Sequence, residues 1–313
     1  MLVILAAGLS PAWQRILVLD RLATGEVNRA RESYECASGK VLNVGLALTM
    51  LRANSITLSV IGGTTGQRIQ SEFQNVGVPA RWVEDRAITR TCTTLIESAT
   101  GQITELVENA SPIDASSWEA FRAAFIEESA RAEWVILSGS LPLIGGRPAA
   151  STVYDELMAN CPGHVILDAR GAELWAGLAC RPFLVKPNRE ELAATVGRPL
   201  PDDAALRSAM LELIERGAEW VLVTDGPGAV WLASAREWWR FTPETIRVVN
   251  PIGCGDCLAA GLVAGLEEGL SCPEAVCWGI AAAAQNAQSM FPARLDHVLV
   301  RESAKRVARV RLA

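Results

Sequence analysis

The residues most able to do chemistry stand in Gly253-Cys-Gly-Asp256, which runs into a small-residue stretch that reads as a helix over Cys257–Leu270. Glycines turn tightly and leave their N–H groups uncovered, and a helix N-terminus carries about half a positive charge. Such a segment, with the amides of Gly253, Cys254 and Gly255, can hold a phosphate or a developing anion. A carboxylate there opposes anion binding, but it makes sense if it takes a proton from a hydroxyl attacking the phosphate. The competing reading is that Asp256 only caps the helix.

Two further segments lie at the ends of apolar runs, where open parallel sheets bind their ligands. In Lys186-Pro-Asn-Arg-Glu-Glu191 the proline stops a strand, Asn188 can cap the next helix, and Glu191 falls at its third position. That is a capping arrangement needing no function. The same lysine, amide and carboxylate could also orient a triphosphate and a hydrated Mg2+. Thr224-Asp-Gly-Pro-Gly228 brings Gly226 and Gly228 to another strand end, either for close approach of a nucleotide or as a plain tight turn. Ala37-Ser-Gly-Lys-Val-Leu-Asn43 precedes a helix, and a lone Gly-Lys says little. Neither G-x-x-x-x-G-K-[ST] nor G-x-G-x-x-G occurs, so no P-loop or dinucleotide fingerprint is present.

Cys254, Cys257, Cys272 and Cys277 imitate a zinc or redox series. Cys272 and Cys277 flank the start of a packed helix rather than a knuckle, which disfavours that use. With two histidines, the chain has little material for a histidine-rich metal centre or a Ser-His-Asp triad.

Of 313 residues half are hydrophobic and 20% charged, enough for a large core and unlike a disordered chain. A net charge of −6 argues against generic nucleic-acid or membrane binding, both of which need a basic face. An anionic ligand would need locally placed cations. Only Lys40, Lys186 and Lys305 are lysines among 29 basic residues, and two of them fall inside the segments above. The eight cysteines follow no extracellular disulfide pattern, so reduced thiols and a cytoplasmic location are expected. The apolar start Met1–Gly8 lacks a basic n-region and reads as a buried strand rather than a signal peptide.

Positioning these residues requires a sheet. Apolar runs at Leu2–Ala7, Ile56–Ile61, Trp134–Ser138, His164–Asp168, Phe183–Lys186 and Trp220–Thr224 alternate with helical patterns. The helices are expected at Asn43–Arg52, Gln67–Asn75, Ser116–Ala130, Ser151–Asn160, Glu190–Val196 and Asp203–Arg216. This alternation predicts a doubly wound, mostly parallel α/β sheet with helices on both faces, in one domain over 1–313. Two hairpins, at 14–36 and 89–108, break the rhythm and could form a small projecting sheet, a lid, or remain separate surface hairpins. Ile246–Val249 reads as a short strand, and Pro273–Met290 as a second C-terminal helix. Trp238 and Trp239 suit either core packing or an exposed turn.

Together the segments resemble the ribokinase-like carbohydrate kinases of the phosphofructokinase B family, in the branch of 1-phosphofructokinase and tagatose-6-phosphate kinase. The resemblance spans the chain in order: Ser10-Pro-Ala, Gly25-Glu-Val-Asn-Arg29, Ser38-Gly-Lys-Val-Leu-Asn43, Thr89-Arg90, Ser138-Gly-Ser-Leu-Pro142, Lys186-Pro-Asn-x-x-Glu191, Gly226-Pro-Gly-Ala229 and Asn250-Pro-x-Gly-x-Gly-Asp256. It implies ATP-dependent phosphorylation of a sugar-phosphate hydroxyl with Asp256 as base and Gly253, Cys254 and Gly255 as anion hole. It further implies Mg2+ organised by Asn188 and Glu191 through water, and a nucleotide site including Lys186, Thr224, Gly226, Gly228, Gly255 and Asn286. The acceptor would meet Gln14, Gly39, Lys40, Asn43, Arg90 and Ser140, with Arg90 a partner for its phosphate. Asn250 and the region around Asn286–Phe291 resemble a monovalent-cation loop, implying K+ in some members. The lid would also form a homodimer interface.

The chain departs from the family pattern at the acceptor. Gln14 stands in place of an aspartate, Ser38 and Val41 in place of two glycines, and Cys92 in place of an asparagine. Such changes can switch substrates, because a site built to hydrogen-bond hydroxyls discriminates by factors of about 10⁴. A kinase for another sugar or nucleoside-like acceptor, or a non-catalytic binding protein on the same fold, therefore remains open at this level.

Overall fold

The computed structural model describes residues 3–312. In chain order, β1 (Val3–Gly8), β2 (Ala12–Leu19) and β3 (Glu32–Ser38) lead into α1 (Lys40–Met50), β4 (Ser55–Gly62), α2 (Gly63–Val76) and β5 (Ala80–Asp85). Next come β6 (Thr91–Glu97), β7 (Ile103–Val107), α3 (Ala115–Ser129), β8 (Ala132–Ser138) and the two-residue strands β9 (Leu143–Ile144) and β10 (Arg147–Pro148). They are followed by α4 (Val153–Ala159), β11 (His164–Asp168), α5 (Gly171–Gly177), β12 (Leu184–Val185), α6 (Arg189–Val196), α7 (Asp203–Glu215) and β13 (Trp220–Thr224). The chain closes with β14 (Val230–Ala233), β15 (Trp238–Thr242), α8 (Cys254–Glu267), α9 (Cys272–Ala287), α10 (His297–Ala304) and β16 (Ala308–Leu312).

Ten strands form one sheet in the order β16-β15-β14-β13-β12-β11-β8-β1-β4-β5. From β13 to β5 every pairing is parallel, and β14, β15 and β16 add an antiparallel edge. The inner strands are buried on both faces, which is why they read as unbroken apolar runs. One core lies between the sheet and α1, α8 and α9, around Leu42, Leu46, Leu262 and Ile280. The other lies beneath α3, α4 and α7, around Phe121, Phe125, Leu157 and Met210. Among the described residues no helix is long and apolar enough to cross a membrane.

The two hairpins join into a separate four-stranded sheet, β3-β2-β6-β7, through parallel pairing of β2 with β6. Gln14 lies between Cys36 and Cys92 in its register.

Several boundaries differ from the sequence pattern. Ile246–Val249 is not a strand: Pro243 follows the end of β15, and Val249 N–H bonds Ala287 O of α9 instead of a neighbouring strand. α1 begins at Lys40 and α8 at Cys254, each three residues earlier than their apolar periodicity indicates. α2 begins at Gly63, because the Gly62-Gly63 approach to Ala87 and Ile88 lets the helix start under the segment that leads into β6. Strands β5, β14, β15 and β16 and helix α10 were not expected. The Trp238-Trp239 pair lies within β15, with Trp238 buried. Leu2 of the expected first strand lies outside the described residues.

Candidate active site

The parallel strands β1, β8, β11, β12 and β13 end along one edge of the main sheet, and the first turns of α1 and α8 meet there through Asn43 and Asp256. α8 has Gly253 as its N-cap, in the left-handed region at φ 83°. A Cβ there would lie 3.1 Å from Pro292 Cβ and 3.2 Å from Asn43 Nδ2, so glycine is required on both counts. Cys254, Gly255 and Asp256 form the first helical turn, and no side chain caps it. Asp256 is therefore not an N-cap, which removes the competing reading of that residue. The Cys254 N–H donates to Pro251 O at 3.2 Å. The N–H groups of Gly253, Gly255 and Asp256 have no backbone acceptor among the described residues.

Asp256 is 7% exposed and accepts a 2.7 Å hydrogen bond from Asn43 Nδ2 at Oδ2. Burial pushes its carboxyl up to about 6, with the Asp168 charge adding to the rise; Lys40, the Asn43 bond and Lys186 pull the other way. Asn43 is itself held by Ser38, whose Oγ lies 3.2 Å from Asn43 Oδ1, so the amide nitrogen is turned toward Asp256. Here the residue standing in place of a family glycine orients a site amide.

Lys40 lies one helical turn before Asn43 on α1, so both point the same way. Its Nζ donates to Asp168 Oδ1 at 2.8 Å, and Lys186 Nζ lies 3.3 Å from Asp168 Oδ2. Asp168 is 1% exposed, and burial alone would raise its pKa, but Lys186 and Lys40 outweigh that and hold it below the usual carboxylate value. For Lys40 burial is likewise outweighed, by Asp168, Asp256 and Glu191, which keep its pKa above the lysine norm. Sequence reasoning gave Asp168 no role. Its signal was present: a lone carboxylate closing the apolar strand His164–Asp168, at the ligand-binding end of a parallel sheet. The Gly255 position would bring a Cβ to 3.3 Å from Lys186 Nζ, so a glycine here lets the buried ammonium approach the helix start.

Next to the small sheet, Gly39 (φ 92°) is packed so that a Cβ would lie 2.9 Å from Ala12 N and 3.0 Å from Ser10 O. Ser140 Oγ and Ser10 Oγ are 3.2 Å apart. Arg90 donates to three backbone carbonyls, of Glu108 at 2.7 Å, Ser10 at 3.3 Å and Pro11 at 3.4 Å. Among the described residues it has no carboxylate at ion-pair distance, although the Glu105 carboxylate lies near enough to feel its charge. Gln14 is buried and donates from Nε2 to Thr94 Oγ1 at 2.7 Å.

The sequence-derived nucleotide segments meet at the ends of β12 and β13, where Asn188 and Thr224 form a parallel bridge. Asn188 and Glu191 make a reciprocal capping box, Asn188 Oδ1 accepting from Glu191 N at 2.7 Å and Glu191 Oε2 from Asn188 N at 2.9 Å. Glu191 Oε1 takes no hydrogen bond from the described residues, which leaves one hard oxygen open in a carboxylate close enough to Lys40 to act on its charge. Gly226 has φ 53°, and Gly228 N–H closes the turn onto Asp225 O at 2.8 Å.

Asn286 is fully buried, its Nδ2 donates to Ile252 O at 2.9 Å, and its Oδ1 accepts from Ala293 N at 2.7 Å. It braces the loop ahead of α8. Asn250 likewise holds that loop, donating to Met290 O at 2.9 Å and accepting from Ile252 N at 3.1 Å. Cys254 and Cys257 are free thiols directed at Ala283 O and Asn286 Oδ1, and the described residues contain no group of three or more His, Cys, Asp or Glu side chains able to hold a metal ion.

A buried carboxylate over an uncovered helix N-terminus, with cations nearby, is the equipment of a phosphotransferase acting on a hydroxyl. Residues 12–294 match the model of the pfkB family carbohydrate kinases. Over 260 residues, 82% of both chains, the protein is 31% identical to 1-phosphofructokinase of Escherichia coli strain K12. The chain therefore belongs to the pfkB family of carbohydrate kinases, as a sugar-phosphate kinase resembling 1-phosphofructokinase. Its fold is that of Escherichia coli phosphofructokinase-2, solved in complex with potassium, at TM-score 0.87, 23% identity and coverage of 97% and 98% of the two chains. It is also that of a possible 1-phosphofructokinase from Thermotoga maritima, at TM-score 0.89, 19% identity and coverage of 99% and 100%.

Proposed function

We propose that this protein transfers the γ-phosphoryl group of ATP to a hydroxyl of a sugar phosphate of the 1-phosphofructokinase or tagatose-6-phosphate kinase type. The observation that carries the reading is Asp256: a buried carboxylate in the first turn of α8 that caps nothing and is held by Asn43 alone. With a pKa of about 6 it is mostly ionised at neutral pH and still basic enough to accept a hydroxyl proton. In the forward reaction Asp256 takes the acceptor's proton as its oxygen attacks in line, and the N–H groups of Gly253, Gly255 and Asp256 meet the charge on the phosphoryl oxygens. Lys40 and Lys186 supply cations on the same side, kept in place by Asp168. Arg90 holds the phosphate already on the acceptor, and Ser140, Gly39 and Gln14 line the sugar.

Mg2+ favours oxygen ligands and keeps much of its water, and Glu191 with the Asn188 segment fits such outer-sphere holding. When bound, the ion neutralises charge on the triphosphate. Lys186 and the turn Thr224–Gly228 flank the nucleotide. Any K+ would be held by loop carbonyls rather than by Asn250, whose amide is spent on the loop. The small sheet of 14–36 and 89–108 acts as the lid, within a single kinase domain. Its outer strand exposes Leu106 and Val107, which suits a homodimer formed through it. A cytoplasmic location agrees with eight free cysteines.

The test is ADP release with MgATP and a panel of sugars, sugar phosphates and nucleosides that includes fructose 1-phosphate and tagatose 6-phosphate. Turnover with a phosphorylated ketose, abolished in Asp256→Asn, supports the reading. Binding of a panel member without ADP release would instead make the chain a non-catalytic binding protein. Gln14 and Cys92 favour a second reading, in which the preferred acceptor is another sugar, and the same panel decides it.

A further inference from the structure

We infer that Glu72 is a positioning residue that couples the acceptor side of the site to the phosphoryl side. Glu72 lies in the last part of α2 and is remote from every motif described above. Both of its carboxylate oxygens are used, and by different parts of the active site. Oε2 accepts the backbone N–H of Ala37 at 2.6 Å, one residue before Ser38 and two before Gly39. Oε1 pairs with Arg294, and the side chains are only 18% and 29% exposed.

Arg294 belongs to the turn that follows α9. Within that turn Ala293 sits at φ 59° with its N–H fixed to Asn286 Oδ1, and Pro292 backs directly onto Gly253. Tyr34 of β3 packs edge-on against Phe291 of the same turn, with ring centroids 5.4 Å apart. A single carboxylate therefore ties the end of β3, which leads into Ser38, Gly39 and Lys40, to the turn that supports the anion hole. Neither end is otherwise bonded directly to the other through a charged group. Arg294 Nη1 is buried without a hydrogen-bond partner, so Glu72 is the group that compensates this guanidinium. Removing the carboxylate leaves a backbone donor and a half-buried charge without the partner they share, and both must shift to find water.

The inference rests on the kinase reading for its kinetic consequence, but not for its structural one. Hydrogen–deuterium exchange on the whole protein tests the coupling without any substrate. In Glu72→Leu, exchange should speed in peptides covering Asn250–Asp256 as well as in those covering Ala37–Asn43. Arg294→Leu should reciprocally speed exchange at Ala37–Asn43, since coupling between two sites is mutual. Glu72→Gln, which retains a carbonyl for Ala37 N–H but loses the charge, should disturb the Asn250–Asp256 side more than the other and guards against a leucine variant that folds poorly. Exchange that changes only beside the substituted residue, in both Glu72→Leu and Arg294→Leu, overturns the inference.

With fructose 1-phosphate and MgATP, Glu72→Gln should raise the acceptor KM and lower kcat several-fold while the KM for MgATP stays within about twofold, a split that general loss of stability would not give. Equal changes in both KM values would overturn it. If the wild type turns over no acceptor while the exchange results hold, the function is wrong and the coupling stands.

Discussion

Asn43 Nδ2 lies 2.7 Å from Asp256 Oδ2, joining the first helix of the chain to the eighth across 213 residues. The bond favours the ionised carboxylate. It also means that the residue assigned to the acceptor and the residue assigned as base share one proton-sensitive unit.

The first prediction concerns that bond. A hydrogen bond to a charged group contributes about 1.5–3 kcal/mol, so its loss in Asn43→Ala should raise the Asp256 pKa by about one to two. The acid limb of the kcat/KM profile, expected near pH 6 in the wild type, should move toward neutrality. A pH–rate profile of both proteins checks this, and an unmoved limb would detach Asp256 from that titration.

A second prediction is thermodynamic. Asp256 titrates higher in the folded chain than an ordinary carboxylate, near 6 against 3.8. Between those values the folded state binds the extra proton, so the group favours folding in acid and its contribution is lost as pH rises through about 6. At pH 8 the buried carboxyl is ionised, and each tenfold by which burial tightens its proton corresponds to about 1.4 kcal/mol lost from folding. Asp256→Asn should therefore melt above the wild type at pH 8 and level with it near pH 4, while losing about 10²–10⁴ in kcat. Differential scanning calorimetry at the two pH values, beside single-turnover assays, checks both halves.

The third concerns Asp168. Burial alone would raise its pKa, but Lys186 and Lys40 lower it, so the sign is opposite to that of Asp256. Its contribution is present above the ordinary carboxylate value and lost as pH falls through the depressed one. Asp168→Asn strands one buried and one half-buried ammonium, and breaking such a cluster costs about 3–5 kcal/mol. Urea unfolding should show the deficit in full at pH 7 and less of it as the solution becomes acid.

The fourth separates a phosphorylated acceptor from a plain sugar. Arg90 has three carbonyl partners and no carboxylate, so Arg90→Gln should raise KM for sugar phosphates by at least tenfold. Turnover of the corresponding unphosphorylated sugar, where measurable, should change little. A similar loss on both acceptors would instead assign Arg90 to holding the lid strand.

Much of the site was legible because its chemistry is local. Gly253, Gly255 and Asp256 fall within four consecutive residues, and the requirement for a tight turn into a helix is visible there. Six of the seven parallel strands were legible for the same reason, their burial on both faces giving apolar runs with sharp ends; β5, at the sheet edge and only half-buried, gives no such run. What the sequence could not display is pairing at a distance. Asp168 gains its meaning only from Lys40 and Lys186, and its own strand gives no hint of two lysines from elsewhere. Asn286 entered only through the family resemblance, and its bonds to Ile252, Cys254 and Ala293 join segments that the sequence sets apart. Val230–Ala233 and Trp238–Thr242 escaped notice because short antiparallel edge strands lack a long period. Ile246–Val249 has strand-like residues, but Pro243 and the end of α9 take its backbone out of the sheet.

The strand order has a consequence for how the protein comes into being on the ribosome. β1 is flanked by β4 and β8, so its second edge stays unpaired until more than 130 residues have been made. A nascent chain that has reached residue 250 already holds the lid strands, both site lysines and the turn at Thr224–Gly228. It still lacks the loop and helix that supply the base and the anion hole. By the function proposed above, no nascent chain that stops short of Asp256 can spend ATP, because the groups that make the transfer possible are the last part of the site to be translated.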